Sequence, residues 1–551
     1  MSKKFFNFLA VVSIFLILGF FFIYSQEEKK FSRDLLIQDL RQLAQIFEAA
    51  HPDPHVRGGG KIAFHRRFQN TLRTIPEEGM TVKEFYKHLL PFVASLGDGH
   101  TSVFPGEIAG FDAPGLPLGM NVVESCLYVT AVDDKNLEHI LGAKLLSVEG
   151  IPFKELVRRQ GSMEGWDNEY QNLARLCRSL RTKPRLEILL PEWKDQKNIH
   201  VGLKLKTGEE KEFMFVIPEK APVNFITPPS NIKLPSVEKT DFVYDFLDEK
   251  NAILRIDGMF SYRENFEYFS AMGVDWTRAH AAKVYEKFHG RSAPDNIKDV
   301  ISGIPSATET FRSLVVNMKK ADTKTLLIDV RKNGGGNSLM TRILLYFLYG
   351  KKAVESLDMG YSVKKYSAFY FEQFKEENLE RINAGQSFPL TIDDYDFSGE
   401  LDFLSKGKAA TDREREAQKY LQLIPTFLEE YKSAKYEHYY LPKNIVVLCS
   451  ALTYSSGYDL VVSFYKMGAT LVGVPSSQAG NCFGDVLMFK LNNTGISGQV
   501  SYKQMLAFPN DPERGRLLRP HFELTYIKLA SYGFDPNAEI LLALEIAAKQ
   551  K

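Results

Sequence analysis

The sequence predicts an α/β protein built around a parallel β-sheet. Three short apolar runs, TLLIDV, NIVVLCS and TLVGV, are typical of buried strands, and SSGYDLVVSFYKMG between the last two has helical periodicity. Strand–helix–strand alternation indicates parallel pairing, because a crossover helix returns the chain to start the next strand in the same direction. In that helix Leu460, Phe464 and Met467 share one face, and Gly468 is placed to end it.

The 551 residues are enough for two to four domains, and the sequence pattern divides them into four parts. We predict a signal peptide or membrane anchor, an N-terminal helical cap with a His-bearing turn, a separate β module, and an α/β core with a charged, mostly helical insertion. Their bounds are 1–26, 27–106, 107–222 and 223–551, with the insertion near 362–436.

Two helices are predicted in the cap, followed by strands in the β module. Apolar residues recur at helical spacing over 31–50, and this helix should end before His51. A second helix begins at Thr81, with Glu84 placed for a capping box. In the β module, GAKLLSVEGIPF, LEILL and KEFMFVI are predicted to contain strands.

The N-terminus has a basic start, an unbroken apolar run over residues 5–24 and then a charged stretch. This pattern is that of a secretory signal or a single membrane anchor; the run is long for the first and about right for the second. We therefore expect an exported protein, periplasmic or extracellular, and attachment to the membrane through residues 5–24 stays open. The alternative, a buried soluble helix, fits the flanking lysines less well.

Composition limits the expected partners and cofactors. The 69 Lys and Arg nearly balance the 68 Asp and Glu, and no basic stripe stands out, so nucleic acid is not an expected partner. The four cysteines form neither a disulfide framework nor a CxxC metal motif. Cys449 and Cys482 flank one predicted strand, which leaves a bridge between them open. We predict no cofactor, and nothing in the pattern indicates an oligomeric state.

The stretch ALTYSSGYD places Ser455 and Ser456 where a buried strand gives way to a helix. Backbone N–H groups at a helix start lack intrahelical partners. A serine there can attack a carbonyl while the next N–H holds the resulting oxyanion. Taken alone, however, the pattern favours the simpler interpretation of Ser455 as a helix N-cap.

Two other stretches carry groups that such a reaction requires. DVRKNGGGNS is not a phosphate loop, because it lacks the Lys-Ser/Thr pair after the last glycine. Its glycines can form a simple flexible turn, supply a backbone donor for an oxyanion, or bind an extended peptide along the backbone. SLGDGHTSVF places His100 in a glycine-flanked turn beside Asp98, and an imidazole is a general base at neutral pH. His51 and His55 in HPDPH lack a third ligand at convincing spacing, so no metal site is predicted.

Taken in order, the motifs resemble the C-terminal-processing (tail-specific) and tricorn-core serine peptidase family. The matching stretches are SLGDGHTSVF, GAKLLSVEGIPF, LLIDVRKNGGGNS, ALTYSSGYD and TLVGVPSSQAG, within a similarity over most of 31–545 that omits 362–436. The resemblance implies a crotonase-like (ClpP/crotonase) peptidase core with an inserted PDZ-like β module, which would be the 107–222 module. PDZ modules bind extended peptide tails by strand addition, so the implied partner is a peptide or protein substrate.

Carried over to this sequence, the resemblance makes Ser455 the nucleophile and Ser456 the source of one oxyanion N–H. Among the glycines at 334–336, Gly335 would supply the other. The processing branch of the family uses a Ser–Lys dyad, but Ala479 stands near the lysine position, so this mechanism is not expected. The Glu that the family often has three positions after the nucleophile is Tyr458 here.

The tricorn-like branch instead uses a histidine base, which His100 matches. That branch also has a Glu near the C-terminal end, and Glu513 in PERGRLLRP occupies a comparable place. The family's serine beside the histidine is Gly99 here, so any catalytic tetrad would be incomplete or rearranged.

These observations predict an exported serine endopeptidase in which His100 takes the proton from Ser455. The alternative is a non-catalytic relative of the same fold that binds peptides or hydrophobic ligands, and Tyr458 and the missing lysine keep it open. A further alternative is a membrane-attached scaffold whose β module recruits partners.

Overall fold

The computed structural model of the protein describes residues 29–106, 111–194, 196–222, 224–384, 389–404 and 420–549. The predicted signal or anchor segment, 1–26, lies outside the described residues. Within the described ranges, every helix is too short or too polar to cross a bilayer.

A six-stranded sheet, called the central sheet, forms the middle of the α/β core. Its first strand is antiparallel to its neighbour and the other five strands are parallel. The three strands predicted from TLLIDV, NIVVLCS and TLVGV lie side by side, so the predicted parallel pairing is confirmed. In spatial order the strands are Phe242–Phe246, Asn251–Ile256, Thr325–Asp329, Asn444–Cys449, Thr470–Gly473 and Phe522–Glu523.

Helices cover both faces of the central sheet, which explains why its middle strands are apolar throughout. Successive residues alternate between two cores, with Leu327 in one and Leu326 in the other. The Ser456–Lys466 helix packs into the same core as Leu326. It ends as predicted, since Gly468 just beyond it has a φ of 84°. The main covering helices are Ala307–Ala321, Leu339–Tyr349, Ser456–Lys466 and Ala538–Lys549. The other helices of the core are Arg263–Ala271, Thr277–His289, Ile297–Ser302, Lys351–Ser356, Pro512–Arg516 and Tyr526–Ser531.

The β module contains an antiparallel sheet of six strands with helices packed against it. The strands predicted within GAKLLSVEGIPF and KEFMFVI are present, but LEILL is helical, so that strand prediction is wrong. Leu186 and Leu189 are buried against the module core from this helix. A short apolar run does not show whether its residues are buried from a helix or from a strand. The strands are Leu118–Val123, Cys126–Val132, Lys144–Val148, Ile151–Pro152, Asn198–Lys204 and Glu210–Val216, and the helices are Phe153–Gly161, Glu169–Leu180 and Lys183–Leu189.

The helical cap has three helices, Arg33–Ala50, Lys61–Arg73 and Val82–Ala94. The first ends before His51 as predicted, and the third starts with the predicted capping box, in which Thr81 and Glu84 bond reciprocally. The second helix, KIAFHRRFQNTLR, was not predicted. Phe64 is its only fully buried residue, and Phe68 and Leu72 on the same face are partly buried against the cap core.

A second sheet of the core, called the outer sheet, packs under the cap. The predicted helical insertion contributes to it, since its first residues form a strand paired with Ser497–Leu506. Part of that insertion, 385–388 and 405–419, lies outside the described residues. The outer sheet contains Tyr395–Asp396, Tyr361–Lys365, Ser497–Leu506, Asn481–Lys490 and the short strand Ser102–Val103. The insertion helices are Ala368–Gln373, Leu379–Asn383, Ser398–Leu404 and Pro425–Ser433.

All four cysteines are free thiols. Cys449 and Cys482 are both buried, and the bridge between them that the sequence left open is not formed. Burial raises the pKa of the Cys449 thiol to about 12, so it stays protonated and unreactive at neutral pH.

Candidate active site

Three loops meet at the carboxyl edge of the central sheet. They are residues 330–338, 450–455 and 474–480, which follow the three adjacent parallel strands. Parallel strands present such loops at one edge, where open α/β sheets bind their ligands. His100 reaches the same place from the outer sheet, where Gln499 donates a hydrogen bond from its side chain to the His100 carbonyl at 2.6 Å.

Ser455 occupies a strained position between strand and helix. Its φ and ψ are 52° and −128°, a region that non-glycine residues rarely adopt. The Ser455 N–H donates to Oε1 of Gln478 at 2.7 Å, and the Tyr458 N–H donates to the Ser455 carbonyl at 2.8 Å, so both peptide groups are held. The Ser455 side chain makes no capping hydrogen bond, and the contact that defines an N-cap is therefore missing.

Gly335 in the glycine loop lies directly against Ser455. A Cβ at Gly335 would stand 2.6 Å from Ser455 Cβ and 3.1 Å from its Oγ, and the φ of Gly335 is 116°. Only glycine fits both restraints. Asn333, which is fully buried, joins the two loops: its carbonyl accepts the Tyr454 N–H at 2.9 Å, and its Oδ1 accepts the Gly335 N–H at 2.9 Å.

The two predicted oxyanion donors differ in their present contacts. Within the described part of the chain, the Ser456 N–H has no acceptor, and the Ser456 hydroxyl donates to the Gly336 carbonyl at 2.8 Å. The Gly335 N–H, in contrast, is engaged by Asn333. Gly335 can serve an oxyanion only if it shares or releases that hydrogen bond, whereas Ser456 can serve without rearrangement.

His100 is oriented by Tyr454, the residue that precedes Ser455. The two rings stack with centroids 4.5 Å apart and planes 28° from parallel. Oη of Tyr454 lies 2.8 Å from Nδ1 of His100 and 3.0 Å from Oδ2 of Asp167, whereas Nδ1 and Oδ2 are 3.9 Å apart. The phenol therefore bridges the imidazole and the carboxylate.

This bridge determines which nitrogen of His100 is basic. Burial raises the pKa of Tyr454 well above its ordinary value, so the phenol keeps its proton and donates it to Asp167. Oη then accepts from Nδ1–H of His100, which leaves a lone pair on Nε2. That tautomer is the one a general base needs.

Asp167 is a buried carboxyl held among several donors. Burial raises its pKa, an effect that the positive charge of Arg57 opposes from 3.6 Å away. The Gly99 N–H donates to Oδ1 of Asp167 at 3.0 Å. A Cβ at Gly99 would come within 2.6 Å of Tyr454 Oη, so the phenol occupies the space that a serine beside His100 would need.

Asp98 holds the turn that carries His100 without touching its ring. It accepts the His100 N–H at 2.9 Å, the Thr101 hydroxyl at 2.5 Å, the Ser501 hydroxyl at 2.7 Å and Nε2 of His51 at 3.2 Å. Burial alone would raise the pKa of Asp98, but these contacts, led by that with His51, hold the pKa well below its ordinary value. His51 is thus a structural partner of this turn.

The structure does not bring Glu513 to the site. Its side chain is 89% exposed and lies 3.8 Å from Arg516, while the side chain of His100 is 7% exposed. No hydrogen bond or ion pair joins Glu513 to His100 among the described residues, so an orienting role for Glu513 has no geometric support. Asp167 is the carboxylate that lies beside His100, and the Tyr454 hydroxyl bridges the two side chains.

Sequence reasoning missed Asp167, Tyr454, Gln478 and Asn333 as site residues. Asp167 belongs to the β module and is brought to His100 only by tertiary packing. Tyr454 stood beside the predicted nucleophile, and a phenol at that position was the one available signal. Gln478 neighbours Ala479, the residue near the family's lysine position, and holds the Ser455 N–H instead of supplying a base.

A search with family profiles matches residues 295–500 to peptidase family S41. The resemblance predicted from the sequence is confirmed, and the protein is a serine-type peptidase that acts on peptides or proteins. The S41 match includes the glycine loop and Ser455, whereas His100 and Asp167 lie before its first residue.

Solved structures show the same fold at low sequence identity. Mature CPAF complexed with lactacystin is 16% identical with a TM-score of 0.52, over 94% of this chain and 99% of that chain. Mature CPAF is 15% identical with a TM-score of 0.53, over 93% and 98%. The photosystem II D1 C-terminal processing protease is 11% identical over 90% and 93%, and its TM-score of 0.35 is too low to support an argument. No curated protein matches the chain significantly.

Proposed function

We propose that this S41 peptidase is an exported serine endopeptidase with Ser455 as nucleophile and His100 as general base. The observation that carries the proposal is the backbone of Ser455, held at a φ of 52° with its hydroxyl free of any capping bond. A serine on such a sharp strand-to-helix turn has its Oγ exposed to a substrate, as in nucleophile elbows. Strain of this kind persists where the surroundings enforce it, commonly at active sites.

The reaction proceeds by acyl transfer. Nε2 of His100 takes the proton of the Ser455 hydroxyl while Oγ attacks the peptide carbonyl. The C–N bond then breaks, the amine leaves with the proton held on Nε2, and water releases the acyl group by the same steps in reverse roles. The negative charge of Asp167, relayed by the Tyr454 hydroxyl, stabilises the imidazolium that forms.

The Ser456 N–H is the first oxyanion donor in this mechanism, and the Gly335 N–H is the second after it leaves Asn333. No hydrogen bond joins Ser455 Oγ to His100 among the described residues, so the catalytic contact must form when substrate binds. Catalytic hydrogen bonds are often long in free enzymes and tighten in the complex. Substrate binding would therefore both align His100 and redirect Gly335.

Three further parts of the proposal concern the core, the β module and export. The order and parallel pairing of the central sheet support a crotonase-like core. The Glu210–Val216 strand lies at an edge of the β-module sheet and exposes Met214 and Val216, which supports a PDZ-like module that binds peptide by strand addition. Export rests on the basic start and the apolar run over 5–24, and the mass of the mature N-terminus would test cleavage.

A fluorophosphonate probe, which reacts with activated serines, tests the mechanism on the full-length protein. We expect labelling of the wild type and of Ser456→Ala, which keeps its backbone N–H. We expect labelling to be lost in Ser455→Ala and His100→Ala. A wild type that stays unlabelled while a known serine peptidase reacts would favour the non-catalytic, ligand-binding alternative. Loss of labelling in Ser456→Ala alone would show that the nucleophile is misassigned.

A further inference from the structure

Three side chains of the helical cap converge on one point away from the catalytic loops. Oε1 of Glu48 lies 3.4 Å from Nε2 of His55 and 3.2 Å from Nε2 of His65. One ligand atom from each of the three residues can be chosen so that all lie within 4.8 Å of one another. The sequence pattern HPDPH did not reveal this group, because it contains only His55. Glu48 and His65 lie on two separate helices.

The spacing matches the coordination shell of a tetrahedral metal ion. Imidazole nitrogens and carboxylate oxygens bind Zn²⁺ at about 2.0–2.2 Å, which places two such ligands of a tetrahedron about 3.3–3.5 Å apart. The two measured edges, 3.2 and 3.4 Å, are close to this separation. Two imidazoles and one carboxylate suit a first-row transition ion, whereas Mg²⁺ and Ca²⁺ prefer oxygen ligands throughout.

The group is also held in place before any ion binds. The buried ring of Phe64 lies edge-on to both imidazoles, with centroids 5.0 Å from His55 and 5.4 Å from His65. Nε2 of His55 is buried, and its contact with Oε1 of Glu48 at 3.4 Å does not have the geometry of a hydrogen bond. A buried nitrogen without a hydrogen bond is costly unless some other partner takes its lone pair, as a metal ion would.

We propose that Glu48, His55 and His65 form a Zn²⁺-binding site, with solvent at the fourth position. The site would join the end of the Arg33–Ala50 helix, the following loop and the start of the Lys61–Arg73 helix. His51 is not a ligand, because its Nε2 contacts Asp98 and its Nδ1 accepts the Asp53 N–H.

The joined loop also supports the turn that carries His100. Besides the contact between His51 and Asp98, Nη1 of Arg57 donates to the Gly97 carbonyl at 2.7 Å. An ion bound between Glu48 and His65 would therefore restrain a loop whose residues contact the catalytic turn. The expected effect is a higher thermal midpoint in Zn²⁺, since an ion that binds the folded state stabilises it.

The test uses the full-length protein without a polyhistidine tag, stripped with a chelator and dialysed. Titration with Zn²⁺ alone by calorimetry should give one ion per chain, and Co²⁺ should give the visible absorption of a tetrahedral site. His65→Ala and Glu48→Gln should each weaken Zn²⁺ binding by at least about 100-fold, the upper range for loss of an outer-shell partner. Zn²⁺ should raise the thermal midpoint of the wild type and of neither variant.

His200→Ala is the matched control, because His200 lies 3.4 Å from Glu149 in the β module with no third ligand among the described residues. It should bind Zn²⁺ as the wild type does. The proposal is overturned if the wild type binds no Zn²⁺ below about 1 mM, or if His65→Ala and Glu48→Gln bind it as tightly as His200→Ala. If His65→Ala shows no cooperative thermal unfolding in the chelator, it is not folded. The comparison of Zn²⁺ binding then rests on the isosteric variant Glu48→Gln. These readouts do not depend on peptidase activity.

Discussion

Tyr454 Oη lies 2.8 Å from Nδ1 of His100, and the two rings stack. The residue immediately before the proposed nucleophile therefore orients the proposed base. Since His100 and Asp167 are 3.9 Å apart, the phenol is the direct hydrogen-bond link between them. This arrangement and the loops around it lead to five predictions.

Tyr454→Phe should slow fluorophosphonate labelling of Ser455 by about 10- to 100-fold, part of the range for general-base catalysis. The ring remains to stack on His100, but no hydroxyl fixes the tautomer of the imidazole. Tyr458→Phe is the matched control, because the buried Tyr458 hydroxyl has no hydrogen-bond partner in the described structure. Equal labelling rates for both variants would contradict the bridging role of Tyr454.

Asp167→Asn should also slow labelling by about 10- to 100-fold, since the imidazolium of His100 loses its counter-charge. Glu513→Gln should label at the wild-type rate, because Glu513 is exposed and does not contact His100 in the described structure. The opposite result, with Glu513→Gln slow and Asp167→Asn unchanged, would restore the partner that the sequence suggested.

Asp167→Asn should not be destabilised, although its labelling is slowed. Because the folded state raises the pKa of Asp167 above 3.8, chiefly through burial, folding favours the protonated form. The resulting stabilisation is present below pH 3.8 and is lost as pH rises through the higher folded value. Above its folded pKa the wild type carries a buried charge that Asp167→Asn lacks. We expect the variant's free energy of unfolding, measured with urea, to equal or exceed the wild-type value.

Asp98→Asn should have the reverse pH dependence. The folded state lowers the pKa of Asp98, so the stabilisation is present above 3.8 and is lost as pH falls through the lower folded value. At pH 7 the variant should lose about 3 kcal/mol of unfolding free energy, the scale for breaking a buried charged partnership. The difference from the wild type, followed by urea unfolding at several pH values, should shrink below about pH 3.8. A loss that does not change between pH 7 and pH 3 would contradict this assignment.

Gly335→Ala should abolish labelling and lower the free energy of unfolding by about 1–3 kcal/mol, the scale of backbone strain outside the allowed regions. The added Cβ would stand 2.6 Å from the Cβ of Ser455, and the alanine would have to adopt a φ of 116°, which residues other than glycine disfavour. Gly334→Ala is the neighbouring control. A Cβ at this position would have no atom within 4 Å, and the substitution keeps the backbone N–H. Thermal melts and labelling rates that are alike for the two variants would show that Gly335 does not pack against the nucleophile.

Local patterns in the sequence were enough for the parallel core strands, the capped helices and the candidate nucleophile. Each of these depends on residues close together in the chain: the capping box requires only Thr81 and Glu84, and the Ser456–Lys466 helix requires its own apolar face and Gly468. LEILL failed for the same reason, because a five-residue apolar run has too few positions to distinguish a strand from a helix.

Contiguous motifs and hydrophobic periodicity were enough to predict the resemblance to the peptidase family, the α/β core and the serine and histidine segments. Only the tertiary structure decided the partner of His100 and the grouping of Glu48, His55 and His65. Asp167 arrives from the β module and His65 from a separate helix of the cap, and no periodicity records which side chains meet across such distances. Packing also leaves Glu513 at the surface, and its place in the order of motifs carried no information about exposure.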